Sequence, residues 1–231
     1  MPQRCPDLPV IYREYTFPGT FPVLLMQGTE RSERVDFIHF HNCIEIAFCK
    51  KGFMYWNLEN EIREISSGSF LLLPPFFTHA SYFPLQNVPE VCCDYLFFNP
   101  EEILRPFYPK GLPEEFGWCR YMDYPKIFSG ESFPEETELL YRIIEEMQEE
   151  KECSKEIAAG LIEALLIQLY RNLDGKSDGV FHGNLRAQLF PAIAYMDKNY
   201  IQDPDTSFLA LLCGLSRTQF LKYFRNSFHQ T

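Results

Sequence analysis

The chain lacks any apolar run long enough to cross a bilayer, any CxxC pair, and any apolar stretch of signal-peptide length within its first ten residues. Its longest apolar run, Phe70 to Phe77, contains two prolines. These absences exclude a helical membrane protein, argue against a paired-cysteine zinc or redox motif, and point to a cytoplasmic location. Eight cysteines are present, but their spacing is irregular and Cys92 and Cys93 are adjacent, so reduced thiols are expected rather than a disulfide framework. What the chain does have is a hydrophobic content of 46%, which excludes general disorder. Its 231 residues suffice for one large domain or two modest ones.

Charge is unevenly placed. The net charge is −11. Residues 184–231 hold five cations (Arg186, Lys198, Arg217, Lys222, Arg225) against three acids (Asp197, Asp203, Asp205). The negative charge therefore belongs to the front of the chain and does not argue against a nucleic-acid partner for the tail.

The front, residues 1–132, reads as an all-β sandwich or barrel. An irregular Pro- and Tyr-containing arm (2–22) leads into short stretches at 37–49, 53–59, 69–74 and 91–98, rich in β-branched and aromatic residues and separated by turn residues. If 37–49 is one strand, His39, His41 and Glu45 share parity and project from one face. With His79 from a neighbouring strand they make a nitrogen-and-oxygen ligand set that suits Fe, Zn, Mn or Ni and does not choose among them. The same groups could instead hydrogen-bond a ligand directly, with no metal required. Phe53, Tyr55, Trp56, Tyr82 and Phe83 lie near these elements. Their rings suit a sugar or another small organic ligand, and equally a packed barrel core. Tyr55 joins His39, His41, Glu45 and His79 in the expected pocket.

The spacing His39-x-His41-x3-Glu45-x6-Gly52 resembles the first cupin motif, and Gly68-x5-Pro74-x4-His79 resembles the second. Glu33 stands where a glycine is usual, as does Phe76, and Phe83 replaces an asparagine. The resemblance implies a double-stranded β-helix, a small jelly-roll with a central pocket.

From Phe133 the apolar period lengthens to about 3.6. One helix is expected over 134–152, with Leu140, Ile143, Ile144 and Met147 on its stripe. A second is expected over 154–175, with the stripe Ile157, Leu161, Ala164, Leu165, Gln168 and Leu169, widened by Ile162, Leu166 and Ile167. A stripe that wide asks for a second partner, and homodimerisation through this pair (133–173) is the expectation. Residues 174–184 read as a linker. A helix over roughly 189–200 follows, with Pro191 in its first turn or kinking it.

The last segment, 185–231, ends in a helix-turn-helix. Asp205 or Thr206 caps a first helix with apolar Phe208, Leu209, Leu211 and Leu212. Gly214 makes the turn. Ser216 caps a second helix that buries Phe220, Tyr223 and Phe224. Its other face carries Arg217, Thr218, Leu221, Lys222 and Arg225, three cations and no acid, which suits DNA phosphates. A solvated amphipathic hairpin would show the same pattern.

The order of sensor barrel, helical pair, linker and helix-turn-helix resembles the AraC-type transcriptional regulators over essentially the whole chain. Ala210, Gly214, Leu215, Ser216, Phe220 and Phe224 fall at that family's characteristic positions, while His229 replaces a usual glycine. The resemblance implies an α+β protein whose cupin pocket senses a small-molecule effector. It places Thr218, Leu221 and Lys222 on bases, and Arg217 and Arg225 nearer phosphates. AraC-type domains carry two such motifs, and this sequence stops at Thr231 after the first, so weak, salt-sensitive DNA binding is expected. The rival reading is a metal-dependent cupin enzyme, a dioxygenase or sugar isomerase. The tail favours a non-enzymatic regulator that requires no cofactor.

Overall fold

The computed structural model describes residues 10–17, 21–29, 37–59, 61–82, 91–113, 116, 125–149, 151–172 and 185–228. The chain divides into two compact units, Met1–Asp178 and Gly179–Thr231.

Among the described residues, ten strands of the first unit form two five-stranded sheets. One sheet orders β1 (Val10–Tyr12), β3 (Ile38–Phe40), β8 (His79–Tyr82), β5 (Phe53–Leu58) and β6 (Glu61–Ser66). The other orders β10 (Lys126–Ser129), β7 (Ser69–Leu73), β4 (Ile44–Lys51), β9 (Cys92–Phe98) and β2 (Val23–Thr29). All pairings are antiparallel except β1 with β3. The irregular arm expected at 2–22 thus contributes a strand, Val10–Tyr12, because a short parallel edge leaves no periodic signal to read.

The second sheet is buried on both faces, which explains its continuous apolar runs. Alternate residues of β4 point in opposite directions. Ile44, Ile46 and Phe48 join one core, while Ala47 and Cys49 join the other. The core shared with the first sheet takes Met54, Trp56 and Leu58 of β5, Leu71 and Leu73 of β7, and Cys93, Tyr95 and Phe97 of β9. Each such side chain gains about 1.5–3 kcal/mol on leaving water.

The other core is closed by three helices: α1 (Pro100–Leu104), α2 (Pro134–Glu149) and α3 (Ser154–Asn172). The helix α2 buries Leu140, Ile143 and Ile144, with Met147 packed at the margin. In α3 the buried stripe is Ala158, Ala159, Ile162, Leu165, Leu166 and Leu169, while Ile157 is exposed. The stripe expected from the sequence is therefore rotated by about one residue. The residues read as widening it, Ile162 and Leu166, are its centre. Asn172 donates to the buried Glu136 carboxylate across the pair. The segment read as a separate piece, 133–173, thus shares a core with the second sheet.

The second unit holds α4 (Leu185–Asn199), a 3-10 turn (Tyr200–Gln202), α5 (Thr206–Leu212) and α6 (Arg217–Phe228). Helix α4 starts four residues before the expected Leu189, which puts Pro191 inside it rather than in its first turn. Asp205 caps α5, its Oδ2 accepting from the N–H groups of Ser207 (2.9 Å) and Phe208 (3.3 Å). After Cys213 the chain turns through Gly214 at φ +65°. There the Leu215 N–H reaches the Ala210 carbonyl (2.9 Å), and the Gly214 N–H reaches that of Leu211 (3.0 Å). These two bonds are a Schellman closure, and the left-handed backbone they need is the reason for glycine. Ser216 and Gln219 then form a reciprocal capping box. The Gln219 N–H donates to Ser216 Oγ (3.3 Å), and the Ser216 N–H donates to Gln219 Oε1 (3.1 Å). Among the apolar positions expected for α5, Leu209 is buried, but Phe208, Leu211 and Leu212 are exposed; Ala210 and Cys213 take the inward places. The expected linker, 174–184, lies outside the described residues, as do Phe83 and His229.

Candidate functional site: a buried histidine–glutamate cluster and a basic helix face

The cluster forms where the chain passes from one sheet to the other. Residues 37–49 are not one strand: β3 ends at Phe40, the chain turns through His41 to Cys43, and β4 begins at Ile44. His39 and Glu45 therefore belong to facing sheets, with His41 at the corner between them. His39 is paired in register with His79 of β8. The corner is held by the Phe76 N–H, which donates to the His41 carbonyl (2.7 Å). Phe76 adopts φ +64° there, a left-handed conformation. Glycine adopts that conformation more readily than phenylalanine does.

His39, His41, Glu45 and His79 converge, with one ligand atom from each lying within 4.8 Å of the others. His41, Glu45 and His79 are buried, and His39 is half-buried. Glu45 Oε2 lies 2.9 Å from His41 Nε2 and 3.1 Å from His79 Nε2. The second of these contacts is an approach without hydrogen-bond alignment. The opposite ring nitrogens sit on backbone carbonyls: His41 Nδ1 is 3.0 Å from the Cys43 oxygen, and His79 Nδ1 is 2.8 Å from that of Phe77. These carbonyls orient both rings from behind, so that each Nε2 faces the Glu45 carboxylate.

Electrostatics sharpen this arrangement. Burial lowers the His41 pKa, outweighing the hydrogen bond with Glu45. Burial, with His79 next, takes His39 down to about 3. Burial alone would raise the Glu45 carboxyl, but contact with His41 and His79 holds it below the usual carboxylate range. The buried carboxylate is thus held ionised by its contacts with the two imidazoles, His41 Nε2 lying within hydrogen-bond distance of it. Three nitrogens and one oxygen, with backbone carbonyls orienting two of the rings from behind, fit a divalent transition-metal ion.

Aromatic rings wall the cluster. Tyr15 stacks on Phe97 (4.2 Å between centroids) and meets the His41 ring edge-on at 5.2 Å. Trp56 lies 5.8 Å from His79 with its indole N–H buried and, among the described residues, unpartnered. Tyr55, expected in the pocket, is on the opposite face of β5, against Phe53 and Tyr82. Strand alternation gives the inward places to Met54 and Trp56. Tyr15 and Phe97 were missed. The alternation of Cys93, Tyr95 and Phe97 would have found Phe97, but the arm offers no pattern that singles out Tyr15.

In the second unit, α6 exposes Arg217, Thr218, Lys222 and Arg225, half-buries Leu221, and carries no acid. Phe220 and Phe228 turn inward, and rings at 5.7 Å (Phe220–Phe224) and 5.0 Å (Phe224–Phe228) continue the inner stripe.

No family model and no curated protein matches the chain. Among solved structures it is similar to ToxT from Vibrio cholerae. An apo ToxT variant aligns with a TM-score of 0.58 at 10% identity, over 93% of this chain and 77% of that one. A second ToxT structure aligns with a TM-score of 0.56 at 10% identity, over 92% and 76%. The AraC-like transcriptional activator CuxR aligns with a TM-score of 0.44 at 15% identity, over 90% and 72%. At such identities the ToxT likeness is one of fold: a mixed α+β chain of two sheets and helices. No helix among the described residues is long and apolar enough to cross a membrane.

Proposed function

We propose that the chain is a ligand-responsive, DNA-binding transcriptional regulator of AraC type, not an enzyme. The observation that carries this is the pairing of two features in one chain. One is a jelly-roll-like unit, read as a cupin sensor, with a buried polar cluster. The other is a helix-turn-helix closed by a glycine C-cap and a capping box that leaves a cationic face free of acids. In this reading α6 enters the major groove. Thr218, Leu221 and Lys222 meet bases, and Arg217 and Arg225 meet phosphates.

The effector is a small molecule, a sugar being the first class to try, held at His39, His41, Glu45 and His79. The unpartnered Trp56 indole and the ring walls support a polar ligand with a face to stack. A divalent ion of the Zn, Ni, Mn or Fe series is the other occupant that the donor set fits. The protein acts as a homodimer in this reading, through the outer side of α3, where Ile157 is exposed and Leu161 and Ala164 are half-buried.

The test is a duplex selection followed by anisotropy with and without candidate effectors. Salt-sensitive binding that an effector modulates, and that Lys222→Ala weakens, supports the regulator. The convergence of three ring nitrogens and one carboxylate oxygen also favours a second reading, a metal-dependent cupin dioxygenase or sugar isomerase. Turnover by metal-loaded protein, with no DNA binding at any salt, would establish that alternative.

A further inference from the structure

A second set of donor atoms lies away from the histidines, and all of them are sulfur. Cys49 of β4 and Cys93 of β9 are register partners on adjacent antiparallel strands, both facing the inter-sheet core. Directly opposed residues hold their Cβ atoms about 4.5–5.5 Å apart. From the facing sheet, Met54 of β5 brings its thioether to 3.2 Å from Cys93 Sγ. All three residues are only 1–2% exposed. The Tyr95 hydroxyl approaches the same thioether at 3.9 Å. Three strands from two sheets thus bring Cys49, Cys93 and Met54 into one core.

The thiols differ in character. Burial raises the pKa of Cys43 and Cys213, as it does for an ordinary interior thiol. Cys49 is equally inaccessible to solvent, yet its pKa is lowered, first by the hydrogen bond from the Cys93 thiol.

We infer that Cys49, Cys93 and Met54 form a three-sulfur binding site for a soft monovalent cation of the Cu(I) class. Thiolate and thioether donors together select Cu(I) over the harder divalent ions, for which a thioether is a poor ligand. Binding displaces thiol protons to solvent and transfers no electrons: the copper enters and stays as Cu(I). With sulfur–metal bonds of about 2.3 Å, three sulfurs around one ion stand about 4 Å apart, so the Cys93–Met54 gap opens by less than about 1 Å. This site neither shares a residue with the histidine cluster nor depends on the DNA-binding reading.

The test is anaerobic titration of the full chain with Cu(I) buffered by bicinchoninate, followed by X-ray absorption of the one-equivalent complex. The expected result is a sulfur-only shell, with Cys49→Ser and Cys93→Ser each weakening binding at least about a hundredfold. Met54→Leu conserves volume and leaves the core packed, so its expected outcome, a shell reduced from three sulfurs to two, does not depend on the cysteine variants folding. Cys153→Ser, at an exposed thiol, leaves the affinity unchanged. Binding that survives both cysteine substitutions, or a shell dominated by nitrogen, overturns the assignment, the latter placing copper at the histidines.

Discussion

His41 Nε2 and Glu45 Oε2 stand 2.9 Å apart in a buried corner, while the other nitrogen of the same ring rests on the Cys43 carbonyl. His79 repeats the arrangement at 3.1 Å, with its far nitrogen on the Phe77 carbonyl. One glutamate thus faces two oriented imidazoles, a donor set that fits either of two occupants, a metal ion or a hydrogen-bonding effector.

Glu45→Gln separates these two occupants. A glutamine amide keeps the shape and hydrogen-bonding capacity of the buried side chain without its charge, so the metal-free variant is expected to melt close to metal-free wild type. A divalent ion at about a hundred times its dissociation constant should stabilise wild type by about 2.7 kcal/mol. The variant should lose most of that gain. Calorimetric melts with and without Zn(II) or Ni(II) check both halves. A wild-type protein indifferent to every divalent ion would leave direct hydrogen bonding to an organic effector as the role of the cluster.

The helix-turn-helix depends on Gly214. A Cβ at this position meets nothing within 4 Å, so Gly214→Ala carries only the backbone cost of φ +65°. That cost is about 1–2 kcal/mol. Ser216→Ala removes one arm of the capping box, at about 1 kcal/mol. Both changes act within residues 179–231, so thermal unfolding followed by hydrogen exchange should show amides of α5 and α6 losing protection while those of β4 and β7 keep theirs. Equal loss in both units would contradict the division of the chain.

What the sequence displayed, and what it hid, follows from where each signal resides. The four cluster residues were legible because spacing brought them to attention, although the parity argument behind them was wrong: a corner at His41 to Cys43, not one strand face, puts His39 and Glu45 together. Caps were legible because their chemistry is local; Asp205, Gly214 and Ser216 each act within a few residues. Tyr55 and the phase of α3 were misjudged for a shared reason. Which face of a strand or helix is inward depends on the partner it packs against, and in α3 that partner is the second sheet, which offers a core to Ile162 and Leu166. Strand β1 was invisible because three residues pairing in parallel with β3 carry no periodicity.

Gly130 is a glycine for want of space. A Cβ there would lie 2.3 Å from the Gly68 carbonyl oxygen, a backbone atom fixed by the turn between β6 and β7. Gly130→Ala should therefore cost about 1–3 kcal/mol through forced backbone displacement. The melting temperature of the first unit should fall by about 2–4 °C for each kcal/mol. Because the strain falls where β10 meets β7, protection of the Lys126–Ser129 amides should drop first. A variant as stable as wild type would mean that the two turns separate freely.

The basic face of α6 should divide by role when its residues are removed singly. Arg225 is exposed on the last turns of the helix, with no acid on the same element. If it meets a phosphate, Arg225→Ala weakens every duplex alike and reduces the slope of log affinity against log salt by about 0.9. Lys222, one turn earlier and also exposed, faces the groove in the proposed docking. Lys222→Ala should cost the preferred sequence about 1–3 kcal/mol and leave an arbitrary duplex much less affected, which narrows the ratio between them. Anisotropy titrations of both variants on two duplexes, at salt from about 50 to 200 mM, resolve the two effects. If both substitutions change only the slope, by equal amounts and on either duplex, α6 holds the backbone without reading bases, and sequence recognition has to be sought elsewhere than on this helix.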